Sequence, residues 1–176
     1  MAGLWFALGA PMNESAREPR FSAILGAALD RHRLDGSRLV FEIAARSLAG
    51  GAARLNEEVQ AVADLGVVLA INEFGTGQAD LMALRTLPVR KLKIDRRLVS
   101  EIVQREDAAI IVQTIAAMAG GLGLQFAASG VETPAQLERL RGYGCNEWQG
   151  PLFAAPLDAQ AFEELLHGAA GRLAAG

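Results

Sequence analysis

The segment Gly66-Val-Val-Leu-Ala-Ile-Asn-Glu-Phe-Gly-Thr-Gly77 decides the fold class of this chain. Its first half, Gly66 to Ile71, is continuously apolar, which predicts a strand buried on both faces. Three further β-like runs, Arg38–Ile43, Val89–Ile94 and Leu124–Ala128, are separated from it by stretches with helical periodicity. Buried strands that alternate with amphipathic helices predict a parallel sheet covered by helices, so the predicted fold class is α/β.

Two outer runs extend this pattern to six strands. Gly3–Ala10 predicts the first strand and Glu147–Phe153 predicts the sixth. Thr133 has the character of a helix N-cap, because Gln136 completes a capping box three residues later. A helical run over Leu98–Met118 is expected to break near residues 105–107. Six β/α units suit either an open α/β sheet or about six of the eight units of a TIM-like (β/α) barrel, which usually needs about 250 residues.

Composition bounds the kind of protein. The chain has 176 residues, 51% of them hydrophobic and 21% charged, which predicts a single globular domain over residues 1–176 with a frayed tail at 168–176. The net charge of −3 argues against binding to DNA or RNA. Ala108–Val131 lacks charge, but the glycines at its middle favour a helix followed by a buried strand over a membrane span. The lone cysteine, Cys145, fits a reducing, cytoplasmic location.

Polar side chains gather where the predicted strands end. In a parallel α/β fold these ends meet at one rim, where binding sites are built. Carboxylates, an amide and a lysine at such a rim are typical of a Mg²⁺ or Mn²⁺ site that acts on a phosphate ester. The other interpretation is that these residues only cap strands and bond loops. The residues concerned are Glu42, Asn72, Glu73, Lys93, Asp95, Ser129, Glu132, Glu147 and Gln149.

Four motifs in order give the chain a family resemblance. They are Asn72–Gly77 (Asn-Glu-Phe-Gly-Thr-Gly), Leu84–Asp95 (Leu-Arg-Thr-Leu-Pro-Val-Arg-Lys-Leu-Lys-Ile-Asp), Gly130–Thr133 (Gly-Val-Glu-Thr) and Gln149–Gly150. In this spacing the chain resembles the EAL domain, the cyclic di-GMP phosphodiesterase family. The resemblance implies a modified TIM barrel that begins here at its third strand. The family's opening third, with its Glu-Ala-Leu signature, is then expected to be absent.

The resemblance also implies which site residues are kept and which are lost. The metal-binding glutamate is kept as Glu42, and the paired aspartates of the family fall on Asn72 and Glu73. The family's lysine and glutamine are kept as Lys93 and Gln149. Ala7 and Ser129 replace an asparagine and a glutamate of the family site, whereas Glu132 keeps the second glutamate of the same motif. The segment Phe74, Gly75, Thr76 and Gly77 matches the family's dimerisation and switch loop, although it also suits an ordinary tight turn.

These losses predict a degenerate domain without catalytic activity. Lys93, Glu73 and Gln149 become vestigial catalytic positions, and Glu42, Asn72 and Glu73 become weak, vestigial metal positions. No cofactor is expected, with Mg²⁺ or Mn²⁺ needed only if some activity is retained. The alternative is a phosphodiesterase, cleaving cyclic di-GMP to pGpG, whose residual activity appears once an upstream segment completes it. Without metals, Lys93 is expected to pair with Glu42 or Glu73.

The remaining predictions concern partners and surface charge. Cyclic di-GMP, a second copy, an upstream domain or another protein are the candidate partners, because an incomplete barrel leaves an open strand edge near Trp5, Phe6 and Leu8. Asp95 is expected to bond a nearby loop. A local basic cluster is interpreted as a solvated helix entrance; it consists of Arg90, Lys91, Arg96 and Arg97.

Overall fold

The computed structural model describes residues 6–8, 21–48, 53–75, 77, 81–155, 157, 158, 160, 161, 163 and 164. Within these residues, six strands alternate with helices. The strands are β1 (Phe6–Leu8), β2 (Leu39–Ala44), β3 (Val68–Phe74), β4 (Lys91–Ile94), β5 (Gln125–Ser129) and β6 (Glu147–Gln149). The α-helices are α1 (Phe21–His32), α2 (Ala53–Asp64), α3 (Ala83–Thr86), α4 (Arg96–Glu101), α5 (Glu106–Gly121) and α6 (Pro134–Gly142), and short 3-10 helices cover Gly36–Arg38 and Ala45–Leu48.

The strands form one sheet in the order of the sequence. Every neighbouring pair is parallel, from β1 beside β2 to β5 beside β6. A doubly wound sheet would reverse its strand order at a switch point, whereas a TIM-like barrel adds its strands in sequence. The described sheet therefore has the winding of a partial TIM-like barrel, which confirms the predicted α/β fold class.

The two faces of the sheet differ sharply in chemistry. One face packs against the helices and carries fully buried side chains such as Ile43, Leu69, Leu92 and Ile94, each 0% exposed. Because successive side chains of a strand point to opposite faces, Lys91 and Lys93 alternate with Leu92 and Ile94 and lie on the other face. The hydrophobic core thus lies between sheet and helices, and the polar face is left to build a site.

Helix ends follow the signals in the sequence. Thr133 caps α6 by accepting a hydrogen bond from the Gln136 backbone N–H, and the Gln136 side chain bonds back to the Thr133 N–H, so the predicted capping box is confirmed. The helical run over Leu98–Met118 is broken as predicted, but the break lies at residues 102–105, because α4 ends at Glu101 and α5 begins at Glu106. Within the described residues, no helix is long and apolar enough to cross a membrane.

Some predicted element boundaries were wrong. The sixth strand ends at Gln149 and does not reach Phe153, because Gly150 turns the chain directly against the backbone of Val131. A Cβ atom at Gly150 would lie 2.3 Å from the Val131 nitrogen, so only glycine fits there. The third strand continues to Phe74. The predicted tail 168–176 and residue Trp5 of the proposed open edge lie outside the described residues.

Candidate functional site

The carboxyl ends of strands β2 to β6 meet around one cleft of about 680 Å³. This is the position where α/β folds of this winding build their sites. The cleft takes residues from each of these strands and from the turns that follow them. The lining residues are Glu42, Arg46, Asn72, Glu73, Lys93, Asp95, Arg96, Arg97, Ser129, Gly130, Gln149 and Gly150.

Lys93 lies at the centre of the polar network. Its Nζ donates to Glu42 Oε1 at 2.7 Å and to Gln149 Oε1 at 2.5 Å, which ties β4 to β2 and to β6. Both partners of the ion pair are buried, with side-chain exposures of 11% for Lys93 and 9% for Glu42. Of the two partners predicted for Lys93, Glu42 is the one with which it pairs in the structure.

Asn72 is the second hydrogen-bond donor to Glu42. The Asn72 Nδ2 group donates to Glu42 Oε2 at 2.7 Å, so each Glu42 oxygen already accepts a hydrogen bond from the protein. The amide oxygen of Asn72 accepts from the Glu73 backbone N–H at 2.8 Å. The two residues best placed to offer oxygen ligands are therefore bonded to the chain itself.

Glu73 occupies an irregular position of β3. The pairing of β3 with β4 shifts between Ile71 and Phe74, and Glu73 has a left-handed backbone with φ of +58°. A bulge of this kind redirects a side chain at the end of a strand. The Glu73 carboxylate forms an ion pair with the Arg46 guanidinium. Glu73 was the second partner predicted for Lys93, but its ion pair is with Arg46 instead.

Arg46 is the site residue that sequence reasoning missed. It lies on the 3-10 helix that follows β2, 27 residues before Glu73. The register of the strands explains the contact between Arg46 and Glu73. Ala44 of β2 pairs with Asn72 of β3, so the residues that follow both strands lie at the same rim of the sheet. Nothing local to Arg46 in the sequence signals this pairing. Only the alignment of β2 with β3 could have predicted it.

Asp95 starts helix α4 at the edge of the cleft. Its Oδ1 accepts from the backbone N–H of Arg97 and from the Arg97 side chain, both at 2.8 Å. Burial alone would raise the pKa of Asp95, but the two hydrogen bonds from Arg97 and its positive charge outweigh it, so this pKa lies below its ordinary value. Asp95 was predicted to bond a nearby loop; its partner is instead Arg97, in the first turn of α4.

The basic cluster predicted at the start of α4 is only partly solvated. Arg90, Arg96 and Arg97 are exposed, but Lys91 is buried and its Nζ lies 2.5 Å from Glu147 Oε1. The interpretation of Lys91 as a solvated residue was therefore wrong. Lys91 points to the polar face of the sheet, two residues before Lys93, and the alternation of β4 is the signal that should have revealed it.

The remaining predicted positions divide between the cleft and its surroundings. Ser129 lines the cleft, whereas Glu132 is exposed near the start of α6 and is not among the lining residues. Ala7 lies on β1 and pairs in register with Val40 of the neighbouring strand β2. In the predicted loop, Phe74 is buried and Gly75 packs so closely on Leu98 that a Cβ would lie 2.5 Å from it. Thr76 lies outside the described residues.

The donor set does not fit a pair of divalent cations. Within the described residues, no three His, Cys, Asp or Glu side chains form a group that could hold a metal ion. Two close divalent cations need several carboxylates to offset their mutual repulsion and to replace lost hydration. In the cleft, the oxygens of Glu42 are bonded to Lys93 and Asn72, and Glu73 is paired with Arg46.

The fold and the cleft together define a TIM-like β/α protein with a polar site at the carboxyl ends of its strands. A profile of the EAL domain family matches residues 8–156. The chain belongs to the EAL domain family.

Two known proteins illustrate the sequence similarity. The bifunctional diguanylate cyclase/cyclic di-GMP phosphodiesterase MucR of Pseudomonas aeruginosa is 38% identical over 133 residues, which cover 76% of this chain and 19% of MucR. The cyclic di-GMP phosphodiesterase NbdA of the same organism is 47% identical over 103 residues, which cover 58% of this chain and 13% of NbdA. The chain thus spans less than a fifth of the length of either protein.

Solved structures agree with this assignment. The structure of the MucR phosphodiesterase in complex with cyclic di-GMP superposes with a TM-score of 0.83 at 33% identity, covering 90% of this chain and 64% of that one. BlrP1 of Klebsiella pneumoniae, solved as a calcium and cyclic di-GMP complex, superposes with a TM-score of 0.77 at 24% identity, covering 84% and 38%. The likeness to BlrP1 shows the fold alone.

Proposed function

We propose that this chain is a degenerate EAL domain that does not hydrolyse cyclic di-GMP. It acts in cyclic di-GMP signalling as a nucleotide-responsive or protein-interaction module, and its place is the cytoplasm. The observation that carries this proposal is the bonding of Glu42, whose two carboxylate oxygens are taken by Lys93 and Asn72. A metal ion at this carboxylate would have to approach the Lys93 ammonium group, 2.7 Å from Glu42 Oε1, and the two positive charges would repel each other.

The chemistry of metal-assisted hydrolysis explains why this matters. Such enzymes use divalent cations to generate a hydroxide nucleophile at neutral pH and to neutralise charge on the phosphate. Asn72 and Ser129 are neutral, and Glu73 already pairs with Arg46. Asp95, the third carboxylate of the cleft, pairs with Arg97. Each carboxylate that lines the cleft is thus already paired with a cationic side chain, which opposes binding of the ions that would activate water. Lys93, buried against Glu42, acts as a structural counter-ion.

One alternative has a specific observation in its favour. Lys93 still bonds both Glu42 and Gln149 in the cleft, and the family resemblance assigns all three to site positions. MucR and NbdA, to which the chain is similar, are named as cyclic di-GMP phosphodiesterases. The alternative function is a metal-dependent phosphodiesterase with residual activity that depends on an upstream segment.

The test is release of pGpG from cyclic di-GMP by the purified chain in the presence of Mn²⁺ or Mg²⁺. The MucR phosphodiesterase domain, assayed in parallel, must release pGpG, and the chain is expected to release none above a blank. A Glu42→Gln variant serves as the matched control, because it removes the buried carboxylate that Lys93 and Asn72 bind. Product formed by the chain but not by Glu42→Gln would contradict the proposal and support the alternative.

The protein-interaction part of the proposal concerns association. A second copy, an upstream domain or another protein would cover an edge of the sheet that has no neighbouring strand among the described residues. Light scattering over a range of concentrations tests the homodimer. A mass that stays monomeric at every concentration would remove the second copy as the partner.

A further inference from the structure

The end of the sheet opposite the cleft carries a cluster of exposed arginines. Strands β2 to β6 begin there, each after the last turn of an α-helix and a short connection; these five segments cover residues 29–38, 61–67, 83–90, 118–124 and 139–146. They contain seven arginines against three aspartates, a net charge of +4 in a chain whose net charge is −3. All seven arginines are exposed, and we call them the basic rim: Arg31, Arg33, Arg38, Arg85, Arg90, Arg139 and Arg141.

The positive charge of the basic rim is not neutralised within the protein. None of its arginines forms an ion pair with a carboxylate of the described residues. Four of them lie in the last turns of α-helices, where a cation interacts favourably with the helix dipole. Arg38 and Arg90 lie beyond the α-helices, each directly before the first residue of a strand, so the helix dipole does not account for them. These charges are therefore available to an anion outside the protein.

Arg33 occupies a position that is otherwise glycine at this end of the sheet. The backbone N–H groups of Arg33 and Leu34 close α1 by donating to carbonyls of its last turn, the pattern of a helix end with a left-handed residue. Arg33 has a φ of +53°, and a residue other than glycine is strained there. Such strain is typically retained where the side chain has a role. The left-handed positions before β3, β5 and β6 are Gly66, Gly123 and Gly144.

Two exposed leucines accompany these arginines. Leu34 is 53% exposed, although a hydrophobic residue at its position after a helix frequently packs back on that helix. Leu122 is 45% exposed and lies between Gly121 and Gly123, in a segment without any charged residue. Apolar tips beside basic residues suit the surface of a bilayer, where leucine enters the acyl boundary. They do not suit a nucleic acid, whose affinity for proteins comes mainly from phosphate charge.

We propose that the basic rim docks on the surface of a bilayer that contains anionic lipids, with Arg33, Arg38 and Arg90 as electrostatic contacts and Leu34 and Leu122 as apolar contacts. The negative potential of such a surface attracts clustered basic residues, and burial of neighbouring apolar side chains strengthens the attachment. The cleft lies at the other end of the strands and stays open to solution in this orientation. Docking of this kind involves neither cyclic di-GMP nor catalysis.

Flotation of the purified full chain with lipid vesicles tests the docking. The chain is expected to float with vesicles of equal parts phosphatidylglycerol and phosphatidylcholine, and to stay behind with vesicles of phosphatidylcholine alone. High salt is expected to release it, because salt screens interactions between exposed charges. Equal flotation with both kinds of vesicle, or flotation with neither, would overturn the inference.

The triple variant Arg33→Gln/Arg38→Gln/Arg90→Gln tests the arginines. Each basic residue near an anionic bilayer contributes a factor of about five to binding, so the triple variant is expected to bind the phosphatidylglycerol vesicles about 100-fold more weakly. Thermal unfolding checks that the variant is folded. Vesicle binding equal to that of the wild type would show that the basic rim is not the docking surface.

The matched control is Arg46→Gln/Arg96→Gln/Arg105→Gln, which removes the same charge from the other end of the molecule. Arg46 and Arg96 line the cleft, and Arg105 lies at the start of α5, the helix whose last residue is at the basic rim. This control is expected to float as the wild type does. An equal loss in both triple variants would mean that net charge, and not the basic rim, governs binding, which would contradict the proposal.

Leu34→Ser/Leu122→Ser keeps every charge and distinguishes a bilayer from a nucleic acid. It is expected to weaken vesicle binding about tenfold, because the apolar contacts are lost. Leu81→Ser, which changes a leucine that is 56% exposed before α3, is the control and is expected to have no effect. Tighter binding of the wild type to duplex RNA than to the vesicles, with no effect of the leucine substitutions on either, would assign the basic rim to a nucleic acid and overturn the inference.

Discussion

At the scale of single residues, the cleft depends on a buried ion pair. Lys93 and Glu42 are each about a tenth exposed and 2.7 Å apart. Such a pair contributes little net stability relative to apolar residues, but either charge alone is costly because it stays buried without a partner. This asymmetry makes the pair easy to test.

We expect Lys93→Met to lower the free energy of unfolding by about 3–5 kcal/mol, because Glu42 would keep a buried charge without its cation. The Lys93→Met/Glu42→Leu double variant is expected to recover most of this loss. Arg105→Ala, which breaks an exposed ion pair with Asp107, is the control and is expected to change stability little. Urea unfolding followed by circular dichroism gives the three values. A double variant as unstable as Lys93→Met would contradict the explanation.

Asp95 makes stability depend on pH. Hydrogen bonds from Arg97 hold the folded pKa of Asp95 below its ordinary value of 3.8 despite the opposing effect of burial. The unfolded chain then binds more protons between these two pKa values, so this contribution is present above about pH 4 and is lost as the pH falls through the folded pKa. Asparagine cannot ionise, so the Asp95→Asn variant lacks this pH-dependent contribution to stability.

Wild type is therefore expected to be more stable than Asp95→Asn at neutral pH, and the gap is expected to narrow below about pH 4. Thermal unfolding of both proteins across this pH range measures the gap. A gap that is constant with pH would mean that the Asp95 charge does not stabilise the start of α4.

At the scale of elements, short-range signals fixed the helix ends. The capping box of α6 needs only Thr133, Gln136 and their own backbone, so sequence alone predicted it correctly. The end of β6 was missed because Gly150 is required by a contact with Val131, 19 residues away. Sequence reasoning succeeds where the partner is local and fails where a distant backbone decides the geometry.

Removing the α6 cap gives the prediction at this scale. Thr133→Ala is expected to lower the free energy of unfolding by about 1 kcal/mol, because the Gln136 N–H loses its acceptor. Thr114→Ala, inside α5, is the matched control. Among the described residues its hydroxyl bonds the Ile110 carbonyl of the preceding turn, and alanine is the better helix former there, so no loss is expected. Equal losses in the two variants would count against the capping role.

At the scale of the whole molecule, the order of the strands brings the site residues together. Parallel strands in sequential order bring Glu42, Asn72, Lys93 and Gln149 to one rim, which the sequence predicted from strand ends alone. Of the bonds among these residues, sequence reasoning anticipated only that Lys93 would pair with Glu42 or Glu73. The bonds depend on the register of β2 with β3, on the bulge at Glu73 and on Arg46, whose position follows from both.

The central claim is that this cleft neutralises its own carboxylates and leaves no site for a pair of divalent cations. Titration of the purified chain with Mn²⁺, followed by the electron paramagnetic resonance signal of the free ion, tests it most directly. The MucR phosphodiesterase domain serves as the reference. We predict that the chain depletes no free Mn²⁺ at micromolar concentrations, since the oxygens of Glu42 and Glu73 are already paired. Saturable uptake of two Mn²⁺ ions per chain, lost in Glu42→Gln, would contradict the claim.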